Sequence, residues 1–275
     1  MNNEPSGKIA VALSVYRDVS LPHLREAIES ITAQTQPADL FVKIDGTVPE
    51  PMSEYLSACH KKGQIHYLDY RRQNLGIAHS FNELFSVILE RGYDYIARMD
   101  ADDLMVPERL AKQYDFMEHH SDVDVVGGFI EEFGDGFEYS NIVTYPVSHK
   151  EMFHFFAKRV PLANVTTFFR RSFFEKAGLY PTASSTNEDT LMWMQGFANG
   201  CRFANIPEVL VRVRVSKAFF HRRGGMKKAW SDFKDKIKVI KTLRYNCMSY
   251  VYAVAIFIVN ISPSWIKKFL YKRFR

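Results

Sequence analysis

The chain has 275 residues, of which 47% are hydrophobic and 24% charged, a balance that is typical of a folded globular protein and excludes an intrinsically disordered one. Its three cysteines follow no spacing typical of a zinc site or a disulfide framework, which excludes a cysteine-rich secreted scaffold and indicates a reducing compartment. Residues 1–7 contain no apolar stretch, so we expect no secretory signal there.

The net charge of +5 is distributed unevenly along the chain. Residues 221–275 contain 14 lysines and arginines but only two aspartates, which leaves residues 1–220 with a net charge of −7. We therefore expect two parts, a catalytic domain at 1–225 and a basic, amphipathic helical tail at 226–275 that contacts an anionic surface.

Segments typical of strands and of helices alternate up to about residue 130. Short apolar runs predict strands at 9–15, 40–44, 64–68, 95–99, 123–126 and 208–215. Apolar residues at helical spacing predict helices after Pro22, at 77–88, after Pro107 and at 189–199. The alternation predicts an α/β fold, with a mostly parallel sheet and helices on both faces.

Acidic residues follow two of the predicted strands. Asp45 ends the second strand, and Asp100 and Asp102 form an Asp-x-Asp triplet after the fourth. Ligands of open α/β sheets bind at the carboxyl ends of the strands. No glycine-rich loop follows the first strand, so a bound diphosphate would need neutralisation by something other than backbone N–H groups. Two carboxylates at this spacing can hold Mn²⁺ or Mg²⁺, and the bound cation would neutralise the diphosphate charge.

Each of these residues also has a purely structural interpretation. Acidic triplets on loops are often solvated turns, Asp45 belongs to a turn-forming Asp-Gly pair, and Arg98 could be a structural partner for the aspartates. The position of the triplet directly after an apolar strand favours the metal-binding interpretation.

A second acidic group, Glu188 and Asp189, lies at the start of the helix predicted at 189–199. Carboxylates at this position often cap a helix and complement its dipole. Alternatively, one of them is a general base that removes a proton from an acceptor hydroxyl. The two interpretations stay open at this point.

The order of these segments resembles that of family 2 glycosyltransferases with the GT-A fold, over about residues 8–225. The matching segments are VALSVYRD (11–18), LFVKIDGTV (40–48), RQNLGIAHSFNEL (72–84), YIARMDADD (95–103), STNEDTLMW (185–193) and FANIPEVLVRVRV (203–215). Similar members build bacterial O-antigen, capsule or exopolysaccharide units, and HRRGG (221–225) resembles a segment of the galactosyltransferase-like ones.

The resemblance implies an inverting transfer of a hexose from a nucleotide sugar, UDP-galactose or UDP-glucose, with formation of a β-glycoside. It implies donor contacts from Ser14, Tyr16, Asp45, Asn74, Arg98, Asp100, Arg222 and Arg223, a metal held by Asp102 with Asp100, and a general base at Asp189 with Glu188 beside it. The two arginines at 222 and 223 are alternatively a solvated basic turn.

Two departures from the family pattern bear on this assignment. Tyr16 is followed by Arg17 and Asp18 where the common pattern has Tyr-Asn, which leaves the nucleoside contacts of this loop open. The Gln-x-x-Arg-Trp motif of processive synthases is missing, so we expect addition of a single sugar rather than polymerisation.

Residues 245–266 carry no charged side chain, yet their densely apolar part, 250–261, would span only about 18 Å as a helix, against a hydrocarbon core of about 30 Å. A segment lying on the membrane surface, anchored by the basic, aromatic residues 265–275, fits this pattern better than a true span or a soluble docking helix. We therefore expect a peripheral protein on the cytoplasmic face of the plasma membrane, acting on a polyprenyl-diphosphate-linked saccharide.

Two other functions match parts of the sequence. A sugar nucleotidyltransferase also combines an α/β sheet with metal-binding carboxylates, but it would need a glycine-rich triphosphate loop near the first strand. A nucleic-acid-binding protein would explain the basic tail, but the net-acidic body is unlike a basic binding groove, so we expect no nucleic-acid partner.

Overall fold

A computed structural model gives the structure of the protein and describes residues 7–134, 141–182, 187–215 and 226–262. The strands in these ranges are β1 (Ile9–Val15), β2 (Asp39–Asp45), β3 (Tyr67–Arg71), β4 (Tyr95–Asp100), β5 (Leu104–Met105), β6 (Val125–Phe133), β7 (Asn141–Val143), β8 (Phe168–Arg170) and β9 (Phe203–Arg214). The α-helices are α1 (Leu21–Thr32), α2 (Glu50–Lys61), α3 (Ile77–Glu90), α4 (Arg109–His119), α5 (His149–Phe156), α6 (Arg171–Ala177), α7 (Glu188–Ala198), α8 (Met226–Thr242) and α9 (Cys247–Ile261), and a 3₁₀ turn covers Asn164–Thr166.

All the strands belong to one sheet, in the order β3-β2-β1-β4-β8-β6-β9-β5, with β7 paired to β6. The strands β1, β2, β3 and β4 are parallel to one another, and β9 is parallel to β6. The short strands β5, β7 and β8 are antiparallel to their neighbours, so the longer strands all run in one direction. This arrangement confirms the predicted α/β fold, and it brings the carboxyl ends of β1, β2, β4 and β9 to the same edge.

Alternate residues of β1 show why the sheet has a core on each face. Ile9, Val11, Leu13 and Val15 are buried with apolar residues of α1, α2 and α4, whereas Ala10 and Ala12 are buried with those of α3, α5, α6 and α7. Successive side chains of a strand point to opposite faces, so a continuous apolar run packs against helices on both sides. Helix α1 begins as its sequence predicts, because Ser20 Oγ accepts from the His23 N–H and Pro22 lies in the first turn.

The structure changes several details of the prediction. Strand β3 lies three residues later than the predicted 64–68. The strand predicted at 123–126 overlaps the longer β6 only at residues 125 and 126, and the strand predicted at 208–215 overlaps the longer β9 at residues 208–214. Helix α2 and the short antiparallel strands had not been predicted. Short strands such as β5 and β8 have no periodicity of their own and exist only because longer strands offer them partners.

The two C-terminal helices are attached to the body in different ways. Helix α8 packs against α7 and buries Val239 and Ile240 completely, and Val239 belongs to the core that also contains Trp193. Helix α9 packs on α8, and the ring of Phe257 lies 5.7 Å from that of Trp230. In the described part of the chain, no helix combines the length and the apolarity that crossing a membrane requires.

Candidate active site

The carboxyl ends of β1, β2 and β4 enclose a cavity of about 290 Å³. Ser14 near the end of β1 is paired in register with Asp100 at the end of β4, and Asp45 ends β2 on the other side of β1. Parallel strands of similar length therefore bring residues from distant parts of the sequence to one place. The cavity is lined by Ser14, Tyr16, Val19, Asp45, Asn74, Gly76, Ile77, Asp100, Ala101 and Asp102.

Asp45 is buried and connects the end of β2 to the turn before α3. Its Oδ1 accepts from the Leu75 N–H (3.0 Å) and the Arg71 guanidinium, and its Oδ2 accepts from the Gly76 N–H (2.9 Å). The Asn74 amide donates to the backbone carbonyl of Asp45 (3.2 Å). The carboxylate is thus more than a turn former, and Oδ2, with one protein donor among these contacts, has room for another.

Gly46 allows this turn to lie so close to β2. Its φ is +88°, in the left-handed region that favours glycine, and a Cβ at this position would lie 3.0 Å from the Cβ of Asn74. The Asp-Gly pair recognised in the sequence therefore has both a structural role, at Gly46, and a cavity-lining role, at Asp45.

Arg71, which the sequence analysis missed, links Asp45 to a group of charges behind the cavity. Its guanidinium also binds Glu83, and Glu83 and Asp69 both bind the Lys43 ammonium. Burial opposes the charge of Lys43, but the hydrogen bonds to its two carboxylate partners outweigh it, so the pKa of Lys43 is raised. Because β3 was predicted to end at residue 68, Arg71 fell in a loop; the observed register pairs it directly with Asp45.

Arg98 holds the Asp100 carboxylate from behind. Its two terminal nitrogens bind Asp100 Oδ2 at 2.8 Å and Oδ1 at 2.7 Å, and Arg98 is only 4% exposed. Burial opposes the charge of Arg98, but the charge of Asp100, the hydrogen bond to it and the charges of Tyr180 and Asp103 together outweigh this effect, so the pKa of Arg98 is raised. The fully buried Arg109 donates to the Arg98 carbonyl (3.1 Å) and thereby holds the main chain of β4. Arg98 thus acts as the structural partner of Asp100, and its contact with a donor stays a prediction.

The segment containing Asp102 is held by the neighbouring strand β9. The Arg214 N–H donates to Asp103 Oδ1 (2.7 Å), and Arg214 Nε donates to the Asp102 carbonyl (3.1 Å). Burial, together with the charges of Asp100 and Asp102, raises the pKa of Asp103. The main chain is therefore held by β9 at the point where Asp102 lines the cavity.

The chemistry of the cavity fits Mn²⁺ or Mg²⁺ bound together with a diphosphate. Both cations prefer oxygen ligands, and Asp102 contributes a carboxylate that lines the cavity. Asp100 is a second carboxylate, although Arg98 already binds both of its oxygens. The described residues contain no group of three or more His, Cys, Asp or Glu side chains that could hold a metal alone, so substrate and water oxygens would have to complete the coordination.

Glu188 and Asp189 form the first turn of α7, outside the lining of the described cavity. Asp189 Oδ1 accepts from the N–H (2.6 Å) and the hydroxyl (3.3 Å) of Thr190. Burial raises the pKa of Glu188, as does the charge of Asp189, whereas its backbone hydrogen bond and the charges of Arg98 and Lys228 lower it. Glu188 thus lies within the electrostatic influence of Arg98, the residue that binds Asp100.

Tyr180, a further residue that no sequence pattern indicated, is buried in the core shared by α3 and α7 and packs against Phe81 and Phe85. It is 3% exposed, its hydroxyl donates to Asn164 Oδ1 (2.8 Å), and its backbone makes two hydrogen bonds with Asn82. Burial raises the pKa of Tyr180, and the charges of Arg98 and Asp189 both act on it. Of the remaining predicted residues, Arg222 and Arg223 lie outside the described ranges, as do residues 265–275.

Comparison with known proteins identifies the family. Residues 11–178 match the glycosyl transferase family 2 domain, and residues 95–271 match glycosyl transferase family group 2. The chain belongs to glycosyltransferase family 2. An uncharacterized glycosyltransferase of Haemophilus influenzae is 34% identical to this family 2 chain over 239 residues, covering 84% of the chain and 86% of the relative.

Two relatives match this family 2 member over almost its whole length. The amylovoran biosynthesis glycosyltransferase AmsE of Erwinia amylovora is 26% identical over 97% of the chain and 98% of its own length. The UDP-Gal:alpha-D-GlcNAc-diphosphoundecaprenol beta-1,3-galactosyltransferase of Escherichia coli is 25% identical, with 98% of each chain covered.

Two solved structures share the fold, each at 15% sequence identity. The Pyrobaculum calidifontis mannosyltransferase PcManGT, in complex with GDP-Man and Mn²⁺, matches with a TM-score of 0.62 over 97% of this chain and 79% of its own. Staphylococcus aureus TarS 1–349, in complex with UDP, matches with a TM-score of 0.61 over 91% of this chain and 69% of its own. These likenesses confirm the predicted GT-A fold.

Proposed function

We propose that this family 2 glycosyltransferase transfers a single hexose, with inversion, from UDP-galactose or UDP-glucose to a sugar carried on a polyprenyl diphosphate in surface-polysaccharide synthesis. The observation that carries the proposal is the cavity in which Asp45 and Asn74 lie on one side of β1 and Asp100 and Asp102 on the other. The Escherichia coli and Erwinia amylovora relatives, by their names, support the donor, the lipid-linked acceptor and the pathway.

The donor would occupy the cavity with its nucleoside beside β2 and its diphosphate beside β4. Asp45 Oδ2 can accept a hydrogen bond from a nucleobase N–H, and Tyr16 supplies an aromatic side chain at the end of β1. Asp100, oriented by Arg98, can accept from ribose hydroxyls, and Asp102 would hold Mn²⁺ or Mg²⁺. The bound cation would stabilise charge on the departing nucleoside diphosphate.

The acceptor side of the reaction is assigned to the start of α7. Asp189 would remove the proton from the acceptor hydroxyl, whose oxygen attacks the anomeric carbon opposite the leaving diphosphate. Attack from the opposite face turns an α-linked donor into a β-glycoside. Glu188, directly beside it, is the alternative base, and burial raises its pKa and so opposes its ionised form.

A panel of nucleotide sugars tests the proposed donor. We expect the purified enzyme, with Mn²⁺ and a synthetic GlcNAc-diphosphate-lipid acceptor, to release UDP from UDP-galactose or UDP-glucose at least about tenfold faster than GDP or dTDP from their sugars. Nucleotide release and glycosylated product are measured together, and reactions without acceptor are the control. Preference for a GDP- or dTDP-sugar would refute the donor assignment, and pyrophosphate release from UTP would indicate a nucleotidyltransferase.

Helix α9 supports a peripheral location on the cytoplasmic face of the plasma membrane. It packs on α8 through the ring of Phe257 and buries Ser249 and Ala253, and the rest of its surface is largely exposed and apolar, with Val251 60% and Ile258 54% exposed. Exposed apolar patches of this kind mark interaction surfaces. The excess of 12 positive charges in 221–275 matches the anionic headgroups of a membrane, where a lipid-linked acceptor also resides.

Removal of α9 tests this membrane contact. We expect a chain lacking residues 246–275 to stay soluble with anionic phosphatidylglycerol vesicles that sediment the full-length enzyme, because the apolar face and the terminal basic residues are lost together. Its activity on a soluble acceptor analogue should survive, since the buried Val239 and Ile240 of α8 are retained. Full-length protein should be extracted from membranes by high salt or alkaline carbonate.

A point-variant pair makes the same test without a deletion. Val251→Asp with Ile258→Asp should weaken vesicle binding by at least about tenfold, since each change removes an exposed apolar side chain from the lipid-facing surface. The matched control is Ile142→Asp, which changes an equally exposed isoleucine on β7. Unchanged vesicle binding by the paired variant, resistance of the full-length protein to both washes, or binding to duplex DNA in place of vesicles would refute the surface-lying membrane contact.

A further inference from the structure

The start of α7 is tied to helix α8 through one side chain. The Asn187 amide nitrogen donates to Asp232 Oδ1 (2.9 Å) and to Asp235 Oδ2 (2.8 Å). Carboxylate oxygens only accept, so the orientation of the amide is fixed by its partners. Asp232 and Asp235 are the only acidic residues in 221–275, and both are used on the residue that directly precedes Glu188.

The position of Asn187 makes this contact unusual. Asn187 is the N-cap residue of α7, where an asparagine side chain commonly accepts from a backbone N–H of the first turn, but it makes no such hydrogen bond here. Its backbone carbonyl still accepts from the Leu191 N–H (3.1 Å). The Asn187 side chain therefore does not cap α7 and instead connects the start of α7 to α8.

Asp232 and Asp235 are three residues apart and so lie on one face of α8. Lys228, one turn earlier, binds Asp232 with its ammonium at 3.0 Å, and its charge also acts on Glu188. Attachment of α8 to the body does not require these polar groups, because Ala229, Val239 and Ile240 are 4% exposed or less. The polar contact therefore acts on the start of α7 rather than on the attachment of α8 to the body.

We propose that Asp232 and Asp235 are positioning residues for the transfer reaction. By holding Asn187 they set the direction in which the first turn of α7 presents Glu188 and Asp189 to the acceptor. This inference rests on the proposed function, in which Asp189 is the base. In this arrangement α8 orients the base, and α9, which packs on α8, contacts the proposed membrane surface.

A double-mutant cycle tests the proposal. The variants are Asp232→Ala with Asp235→Ala, Asn187→Ala, and all three changes together, assayed with UDP-galactose, Mn²⁺ and a synthetic GlcNAc-diphosphate-lipid acceptor. We expect the first two variants each to lower kcat by about tenfold or more, with the donor KM within about twofold, because a misdirected base slows proton removal without affecting the donor. The triple variant should be no worse than Asn187→Ala, since the carboxylates act through that amide.

Two controls separate positioning from a loss of folding. Asp115→Ala removes an exposed carboxylate from α4 (76% exposed) and should leave kcat unchanged. Asp232→Asn with Asp235→Asn keeps an oxygen acceptor at each position and should restore much of the activity. Hydrogen exchange at the amides of residues 188–191 should rise in both alanine variants, whereas UDP binding in the presence of Mn²⁺ should not change.

The possible results distinguish this inference from the proposed function. Additive losses in the triple variant, or a lower Tm of the double variant with unchanged kcat, would overturn the positioning role and leave only a structural one. Full activity of Asp189→Asn would instead overturn the base assignment. In that case the hydrogen-exchange cycle still decides whether Asp232 and Asp235 order the start of α7 through Asn187.

Discussion

Replacement of Asp102 by alanine is expected to lower sugar transfer by at least about a thousandfold while the protein remains folded. Asp102 lines the cavity, and Arg214 binds its main-chain carbonyl. The substitution therefore removes the proposed metal ligand without loosening the segment that carries it. Steady-state transfer rates with saturating donor and Mn²⁺ measure the loss, and thermal unfolding checks the fold.

Chelation and a matched variant complete this test. Excess EDTA should inactivate the wild-type enzyme to the same degree, and added Mn²⁺ or Mg²⁺ should restore it. Asp115→Ala, which removes an exposed aspartate of α4 that does not line the cavity, should retain full activity. Full transfer activity in excess EDTA would show that the reaction needs no metal and would refute the assignment of Asp102 as a metal ligand.

Asp189→Asn is expected to lower kcat by roughly 10²–10⁴ while the affinity for UDP stays unchanged. The amide has nearly the shape of the carboxylate and can still accept from Thr190, but it cannot take a proton at neutral pH. UDP binding in the presence of Mn²⁺, measured by calorimetry, separates a loss of chemistry from a loss of donor binding, because the cavity proposed for the donor is lined by residues at the ends of β1, β2 and β4 and not by Asp189.

Glu188→Gln is the matched neighbour variant. If it is inactive and Asp189→Asn is active, the base is Glu188. Because burial raises the pKa of Glu188, the folded protein opposes its ionisation, and the free energy of unfolding falls as pH rises from the ordinary value through the folded one. Glu188→Gln should therefore unfold at a higher temperature than wild type at pH 8, and this advantage should disappear at pH 4.

The residues that line the cavity could be predicted from sequence as a group because several of them lie at the ends of strands that the sequence marks clearly. Asp45 and Asp100 each end an apolar run, and parallel strands bring such ends together without any knowledge of side-chain contacts. Six of the predicted site residues line the cavity for this reason: Ser14, Tyr16, Asp45, Asn74, Asp100 and Asp102.

The groups that hold these residues in place could not be predicted in the same way. Arg71 binds Asp45 because it is the last residue of β3 and pairs in register with Asp45. The apolar residues of this segment indicate a strand that ends three residues earlier. Tyr180 and the contact of Asn187 with α8 depend on how distant elements pack, and no spacing in the sequence carries that information. The residues that line the cavity are therefore easier to recognise in the sequence than the residues that hold them in place.

The attachment of the 101–105 segment to β9 has a thermodynamic consequence. Strand β5 pairs with β9 at Leu104 and Met105, and Arg214 binds both Asp102 and Asp103. Folding has already restricted these main-chain torsions, so a nucleotide that binds there does not have to order them. Calorimetry of UDP binding should accordingly show a small entropic penalty and a heat-capacity change no larger than the buried ligand surface accounts for.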